Sequence, residues 1–144
     1  MIRNAIGAAL AGVVAATLLG QPVAIQAQTP SGALGTVRLG RSVVADGKVL
    51  PTGSYTLRVG TAAVTPVIGQ GPDSEKWVEF LQGGEVKGRE LSSVIAATDV
   101  KAAVNGTPPA VNSSKVELLR GGEYLRVWVN RGGYQYLIHL LVNQ

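Results

Sequence analysis

Apolar and polar side chains alternate along most of the chain after residue 35, and this period of two predicts β-strands. In the segment from Ser54 to Val59, residues Tyr55, Leu57 and Val59 fall on one face, and the polar residues between them fall on the other. Similar segments recur, separated by glycine pairs and an Asp-Gly turn. We therefore predict an all-β domain, either an antiparallel β-sandwich or a partly open barrel of seven to nine short strands, with at most one short helix.

The first two thirds of the domain contain six predicted strands, which are Thr36–Leu39, Val43–Ala45, Lys48–Leu50, Ser54–Val59, Trp77–Leu81 and Glu85 to about Ala96. Asp46-Gly47 readily accepts the positive φ angles of a type I′ hairpin, which places Val44 opposite Val49. The strands Val43–Ala45 and Lys48–Leu50 are therefore predicted to form a tight hairpin.

A second hairpin is predicted around Gln82-Gly83-Gly84. A three-residue loop there would place Phe80 opposite Val86 and Glu79 opposite Lys87, which pairs apolar with apolar and acid with base. The same register would place Trp77 opposite Arg89, within reach of a cation–π contact.

The last thirty residues repeat a Gly-Gly turn at a spacing of eleven residues, at 121–122 and at 132–133. With each glycine pair as a two-residue loop, Val116 lies opposite Val127, and Val127 lies opposite Ile138. These pairs give a three-stranded meander with one apolar side. On the other side the register aligns Glu117, Arg126 and His139 in a row and brings Lys115 next to Trp128.

This mixed face is the strongest candidate for an interaction surface. Exposed aromatic residues beside arginine are typical of surfaces that bind other proteins. We predict a candidate interaction face formed by Glu117, Tyr124, Arg126, Trp128 and His139. For Trp128, packing at the edge of the core is an equal alternative.

The alternating pattern fails between Ala96 and Lys115. Thr98 could cap a short helix near residues 99–104, which Asn105-Gly106 would end. Residues 105–114 contain two prolines and are predicted to form an exposed loop.

The N-terminus has the features of a cleavable bacterial secretion signal. Arg3 is followed by an uncharged run from Ala5 to Gly20, and Ile25-Gln26-Ala27 favours cleavage after Ala27. The run is shorter than the ~20 residues that span a bilayer. We therefore expect a signal at 1–27 and a single domain at 28–144, periplasmic or extracellular, with no stable membrane span after cleavage. The chain has no cysteine, so this domain would depend on hydrophobic packing alone.

One short segment resembles a known class of proteins. Leu50-Pro51-Thr52-Gly53-Ser54-Tyr55-Thr56-Leu57 is similar to a turn and strand that recur in exported bacterial β-sandwich modules of the prealbumin-like or immunoglobulin-like kind. The resemblance implies a sandwich and, since Pro-x-Gly-x-Tyr is turn chemistry, no binding residues.

The residues that carry chemistry are sparse, and we predict no catalytic residue, cofactor or metal site. His139 is the only histidine, and a neighbouring Arg126 would oppose its protonation. One histidine without cysteine cannot supply the usual zinc ligands. The net charge of +4 is dispersed along the chain, so nucleic acid is not an expected partner.

Three classes of function remain open from the sequence. The first is an exported non-catalytic module that binds a protein or a cell-envelope component through a sheet face. The second is a β-barrel that encloses a small apolar or carbohydrate ligand, which requires a cavity in place of a filled core. The third is a hydrolase, which is disfavoured because no nucleophile and base occur at a recognisable spacing.

Overall fold

The structure is a computed structural model that describes residues 32–144. The predicted secretion signal and its cleavage position lie outside these residues. Within the described range the elements, in chain order, are β1 (Ala33–Leu39), β2 (Val43–Ala45), β3 (Lys48–Leu50), β4 (Gly53–Val59), β5 (Glu75–Gln82), β6 (Glu85–Ala96), α1 (Val100–Ala103), β7 (Ser114–Leu118), β8 (Tyr124–Arg131) and β9 (Tyr134–Val142).

The nine strands form one antiparallel sheet that curls into a nearly closed barrel. Around the barrel the order is β1–β4–β5–β6–β9–β8–β7. Strand β9 pairs with β8 along one edge, and with β6 and then β2 along its other edge. The barrel nearly closes where β7 approaches β1 and the hydroxyl of Ser114 donates a hydrogen bond to the carbonyl of Thr36. The predicted all-β fold with one short helix is confirmed, in its barrel form.

Apolar side chains from the inner faces of the strands fill the barrel. Eleven of them are completely buried: Leu39, Val43, Ala45, Leu50, Leu57, Val78, Phe80, Val127, Val129, Ile138 and Leu140. Burial of these residues supplies the main driving force for folding, because the chain contains no cysteine and forms no disulfide. The filled interior argues against a ligand enclosed by the strands.

The segment Leu50–Leu57 has a structural role that accounts for its residue pattern. The hydroxyl of Tyr55 donates a 2.7 Å hydrogen bond to the carbonyl of Pro51, which ties the start of β4 to the preceding turn. The Tyr55 ring is buried against Phe80 in an edge-to-face contact, with 6.1 Å between ring centroids. Burial raises the pKa of the Tyr55 hydroxyl, which therefore stays protonated and able to donate.

Most of the hairpin registers predicted from turn chemistry are confirmed. Asp46 has φ of 44° and Gly47 of 78°, as a type I′ turn requires, and Val44 lies opposite Val49. In the C-terminal meander the observed pairs include Val116 with Val127, Leu118 with Leu125, Val127 with Ile138, and Leu125 with Leu140.

The predicted register of the β5–β6 hairpin is wrong. Gly83-Gly84 forms a two-residue turn with Gln82 opposite Glu85, and an irregularity at Lys87 then places Phe80 opposite Gly88. The barrel interior explains this choice, because a Cβ atom at residue 88 would lie 2.9 Å from Cδ2 of Leu50. A glycine is therefore placed where β6 passes closest to the core.

The side-chain pairs of this hairpin change accordingly. Glu79 lies opposite Arg89, not Lys87, and forms an ion pair with Arg58 of β4. Trp77 lies opposite Leu91. The guanidinium of Arg89 nevertheless lies 4.1 Å from the centre of the Trp77 ring, so the predicted cation–π contact is present between diagonal neighbours.

Helix α1 is a single turn, as the sequence predicts, but its cap differs. Its N-cap residue is Asp99, and the hydroxyl of Thr98 donates to the Asp99 carboxylate instead of to the helix backbone. Over residues 32–144 no helix is both long and apolar enough to cross a membrane.

Candidate functional site

The row of polar residues predicted on the outer face of the meander is present. Arg126 lies opposite Glu117 on β7 and opposite His139 on β9. Gly132-Gly133 forms the predicted two-residue loop between Arg131 and Tyr134. The loop around Gly121-Gly122 is longer than predicted, since β7 ends at Leu118 and β8 begins at Tyr124, but the register is the predicted one. At the end of the same face Tyr124 is 42% exposed and lies opposite Leu141.

Arg126 is held in place from two sides. Its Nε donates a 2.8 Å hydrogen bond to the Glu117 carboxylate, and its Nη2 donates a 3.1 Å bond to the carbonyl of Asn105. The Arg126 side chain is only 11% exposed. Charge-assisted bonds to a partly buried partner stabilise the fold, so Arg126 ties the segment after α1 to the sheet.

Trp128 is completely buried, so its predicted exposure on the interaction face is wrong, and the alternative of packing is confirmed. It forms a small second core with Val100 of α1 and Leu137 of β9 on the outside of the barrel. Its Nε1 donates a 2.6 Å hydrogen bond to the side chain of Gln135. The reason for its burial is the helix, which covers this part of the sheet.

Two cations complete the surroundings of the Trp128 ring. The ammonium of Lys115 lies 4.7 Å from the ring centre, and the guanidinium of Arg126 lies 4.8 Å from it. The contact of Lys115 with Trp128 follows from their predicted pairing. The buried Trp128 ring thus supports the side chains of Lys115 and Arg126, and it is not exposed to a partner.

The loop predicted at 105–114 is exposed over most of its length, with Pro108, Pro109 and Ser114 half-buried. Its first half packs onto the sheet, because Asn130 donates a 2.9 Å hydrogen bond to the carbonyl of Pro109, and Lys115 donates to the carbonyl of Thr107. Gly106 has φ of 119°, and a Cβ atom there would lie 3.1 Å from Nη2 of Arg126. The chain can approach Arg126 this closely only at a glycine.

His139 is exposed at the edge of this assembly. Partial burial lowers the pKa of its imidazole, and the positive charge of Arg126 lowers it further. The ring is therefore predominantly neutral at pH 7, when it can both donate and accept a hydrogen bond.

A surface pocket of about 330 Å³, which we term the helix pocket, lies between β6, β9 and the segment after α1. Its lining comprises Ser93, Ile95, Ala103, Val104, Asn105, Arg126, Leu137 and His139. Only Arg126 and His139 of these belong to the predicted face. Within residues 32–144 no hydrogen bond joins Ser93 to His139.

Three exposed apolar side chains and the half-buried Val44 form a row across four neighbouring strands, which we term the apolar row. Tyr124 on β8 lies opposite Leu141 on β9, Leu141 lies opposite Val44 on β2, and Val44 lies opposite Val49 on β3. Of these four residues, only Tyr124 belongs to the interaction face predicted from the sequence. The pairing of β9 with β2, which no turn dictates, adds the other three residues.

Among residues 32–144 there is no group of three or more His, Cys, Asp or Glu side chains that could hold a metal ion. Glu117, the carboxylate in the row with Arg126 and His139, forms ion pairs with Arg126 and with Lys115.

Comparison of the chain with protein-family models, with curated proteins and with solved structures gives no match. Its function must therefore be inferred from the geometry of its surface.

Proposed function

We propose that this chain is an exported, non-catalytic module that binds a protein partner, in solution or in the cell envelope, through the outer face of β8, β9, β2 and β3. The observation that carries the proposal is the apolar row of Tyr124, Leu141, Val44 and Val49. Three of its members are strongly exposed, at 42% for Tyr124, 46% for Leu141 and 51% for Val49.

The shape of this surface favours a protein over a small molecule. Adjacent strands lie ~4.8 Å apart, so four strands carry the row over roughly 14 Å of continuous sheet. A contiguous apolar patch of this kind on a small domain is typical of an interaction site, whereas single exposed apolar residues are common everywhere. Tyrosine at the end of the row supplies the residue type that contributes most to protein interfaces.

Of the five residues in the predicted interaction face, Tyr124 and His139 are proposed to contact the partner. The other three residues support the surface. Glu117, Arg126 and Trp128 hold the sheet and the segment after α1 in one arrangement. A surface held rigid before binding loses less conformational entropy when the partner docks.

A non-catalytic role is supported by the state of the polar groups. Glu117 is neutralised by two cations and does not orient the histidine. Ser93 and His139 line one pocket without a hydrogen bond between them in the described part of the chain. A serine nucleophile requires a base within hydrogen-bonding reach and a third group that orients the base.

Export is supported by the sequence of residues 1–27, with its single arginine, apolar run and small residue at the expected cleavage position. The test is the intact mass of the protein recovered from periplasm and medium. A mature chain that begins at Gln28 is expected, and a recovered chain that retains residues 1–27 would overturn this part of the proposal.

The binding proposal is tested by capture of partners from the periplasm of the native host, with identification by mass spectrometry. The double variant Tyr124→Ser, Leu141→Ser should lose about tenfold or more in affinity for a captured protein, since it removes two apolar anchors. Tyr134→Ser is the matched control, because Tyr134 is 50% exposed and lies at the opposite end of β9. Equal capture by both variants would contradict the proposal.

A further inference from the structure

We propose that the helix pocket binds a small monocarboxylate that carries a short apolar tail. This goes beyond the proposed docking of a protein, because it concerns a pocket that shares only His139 with the docking face, and a different class of ligand. The pocket lies outside the barrel, so it also differs from a ligand enclosed by the strands.

The lining of the pocket divides into an apolar base and a polar rim. Ile95 and Leu137 come from the outer faces of β6 and β9, and Val104 closes the pocket behind α1. The rim carries the hydroxyl of Ser93, the imidazole of His139 and the guanidinium of Arg126. A concave site with an apolar base and a few convergent polar groups is the usual form of a small-molecule site, and about 330 Å³ falls at the lower end of the usual volumes.

The charges favour an anion with a single carboxylate. Arg126 is the one residue of the lining with a full charge, and none of the eight lining residues is Asp or Glu. Glu117 takes hydrogen bonds from Nε and Nη2 of Arg126, which leaves Nη1 as the donor without a partner among the described residues. Ser93 and a neutral His139 can each donate one further hydrogen bond to a carboxylate oxygen.

The apolar base sets the form of the rest of the ligand. Acetate would satisfy the rim and leave the partly buried side chains of Ile95 and Val104 uncovered. A dicarboxylate would place its second charge against these side chains, where it would lose hydration without a partner. A chain of a few methylene groups buries its own apolar surface and that of the pocket base, so we choose hexanoate as the probe.

The experiment is a titration of the exported, isotope-labelled protein followed by amide chemical shifts in two-dimensional NMR. Hexanoate should shift the amides of Ser93, Asn105 and His139 in a saturable way. It should bind about tenfold more tightly than acetate, which lacks the tail, and than hexanamide, which lacks the charge. Equal affinity for hexanamide would overturn the assignment of a carboxylate, and equal affinity for acetate would overturn that of an apolar tail.

Two variants locate the ligand. Ser93→Phe fills the pocket from β6, and Ala103→Phe narrows it from the helix, so each should abolish the saturable shifts. Thr56→Phe is the control, since Thr56 is an exposed strand residue of β4 on another part of the barrel. Each variant is first shown to be folded by its amide spectrum. Saturable binding that survives in both folded pocket variants would place hexanoate elsewhere and overturn the proposal.

The outcome is independent of the protein-docking proposal. Tyr124→Ser, Leu141→Ser leaves the lining of the pocket unchanged and should bind hexanoate as the parent does. Loss of hexanoate binding in that double variant would show that the two surfaces are one site, and would overturn the separate pocket.

Discussion

The guanidinium of Arg126 lies 4.8 Å from the centre of the Trp128 ring and, from that position, reaches both the Glu117 carboxylate and the carbonyl of Asn105. Arg126 was predicted to lie on an open surface. It instead connects the sheet to the segment that follows α1. If Arg126 formed only an exposed ion pair, its replacement would cost at most about 1 kcal/mol. Its 11% exposure and three partners indicate more.

We expect Arg126→Ser to lower the free energy of unfolding by about 2–3 kcal/mol, because charge-assisted bonds are lost and Glu117 is left half-buried without its main partner. Urea denaturation measures the change. Arg38→Ser is the control, since Arg38 is an exposed residue of β1, and a change within about 0.5 kcal/mol is expected there. Similar losses in the two variants would show that the contacts of Arg126 contribute little.

Trp128→Ala should destabilise the protein by about 3–5 kcal/mol, since it empties a fully buried site beneath α1. Trp77→Ala is the comparison, because Trp77 is only half-buried, and a smaller loss is expected. Chemical denaturation gives both values. If folded Trp128→Ala protein fails to capture a partner while its stability equals that of the parent, the ring acts as an exposed contact residue and the prediction is wrong.

Gly106→Ala should be more destabilising than Gly121→Ala. Both residues have positive φ, 119° and 96°, so both substitutions strain the backbone. Only at residue 106 would the new methyl group meet another side chain, Arg126, at 3.1 Å, and no atom lies within 4 Å at residue 121. We expect an additional loss of roughly 1 kcal/mol for Gly106→Ala, measured by thermal and urea denaturation. Equal losses would mean that the approach to Arg126 relaxes without cost.

The stability of the protein should fall as the pH is lowered from about 7.5 to 5.5, and His139 should be a cause. Its pKa in the folded protein is lowered from 6.5 by burial and by Arg126. Below pH 6.5 the unfolded chain therefore binds a proton more readily than the folded protein, and acidification favours unfolding.

His139→Gln removes this contribution and should flatten the dependence of the unfolding free energy on pH in that interval. An NMR titration of the imidazole in the parent gives the pKa directly. A pKa above 6.5, or a pH dependence that is unchanged in His139→Gln, would contradict the prediction.

Turn chemistry explains why much of the fold could be predicted. Asp46-Gly47 and Gly132-Gly133 each form a two-residue loop, and a loop length fixes every residue pair in its hairpin. The longer loop around Gly121-Gly122 returns the chain in the same register. The register of the β5–β6 hairpin was predicted incorrectly, because it depends on the close approach of Gly88 to Leu50, which belongs to a different hairpin. Pairing preferences along the hairpin contain no information about that contact.

The same distinction applies to the candidate site. The alignment of Glu117, Arg126 and His139 follows from local turns and was predicted. The burial of Trp128 depends on Val100, in a helix of one turn with no periodic pattern to reveal its buried face. The apolar row likewise required the pairing of β9 with β2, two strands from opposite ends of the domain.

That pairing of β9 with β2 also decides when the molecule can fold. The side chain of Asn143 lies 3.5 Å from the hydroxyl of Ser42, a contact across 101 positions of the chain. Strands β2 and β3 are synthesised early, but their neighbour in the sheet is made only after residue 134. Contacts so distant in sequence are slow to form, because a long loop must close before they stabilise the chain. The nascent chain therefore remains without its central strand through most of synthesis, and this delay suits the proposed passage of an unfolded chain across a membrane.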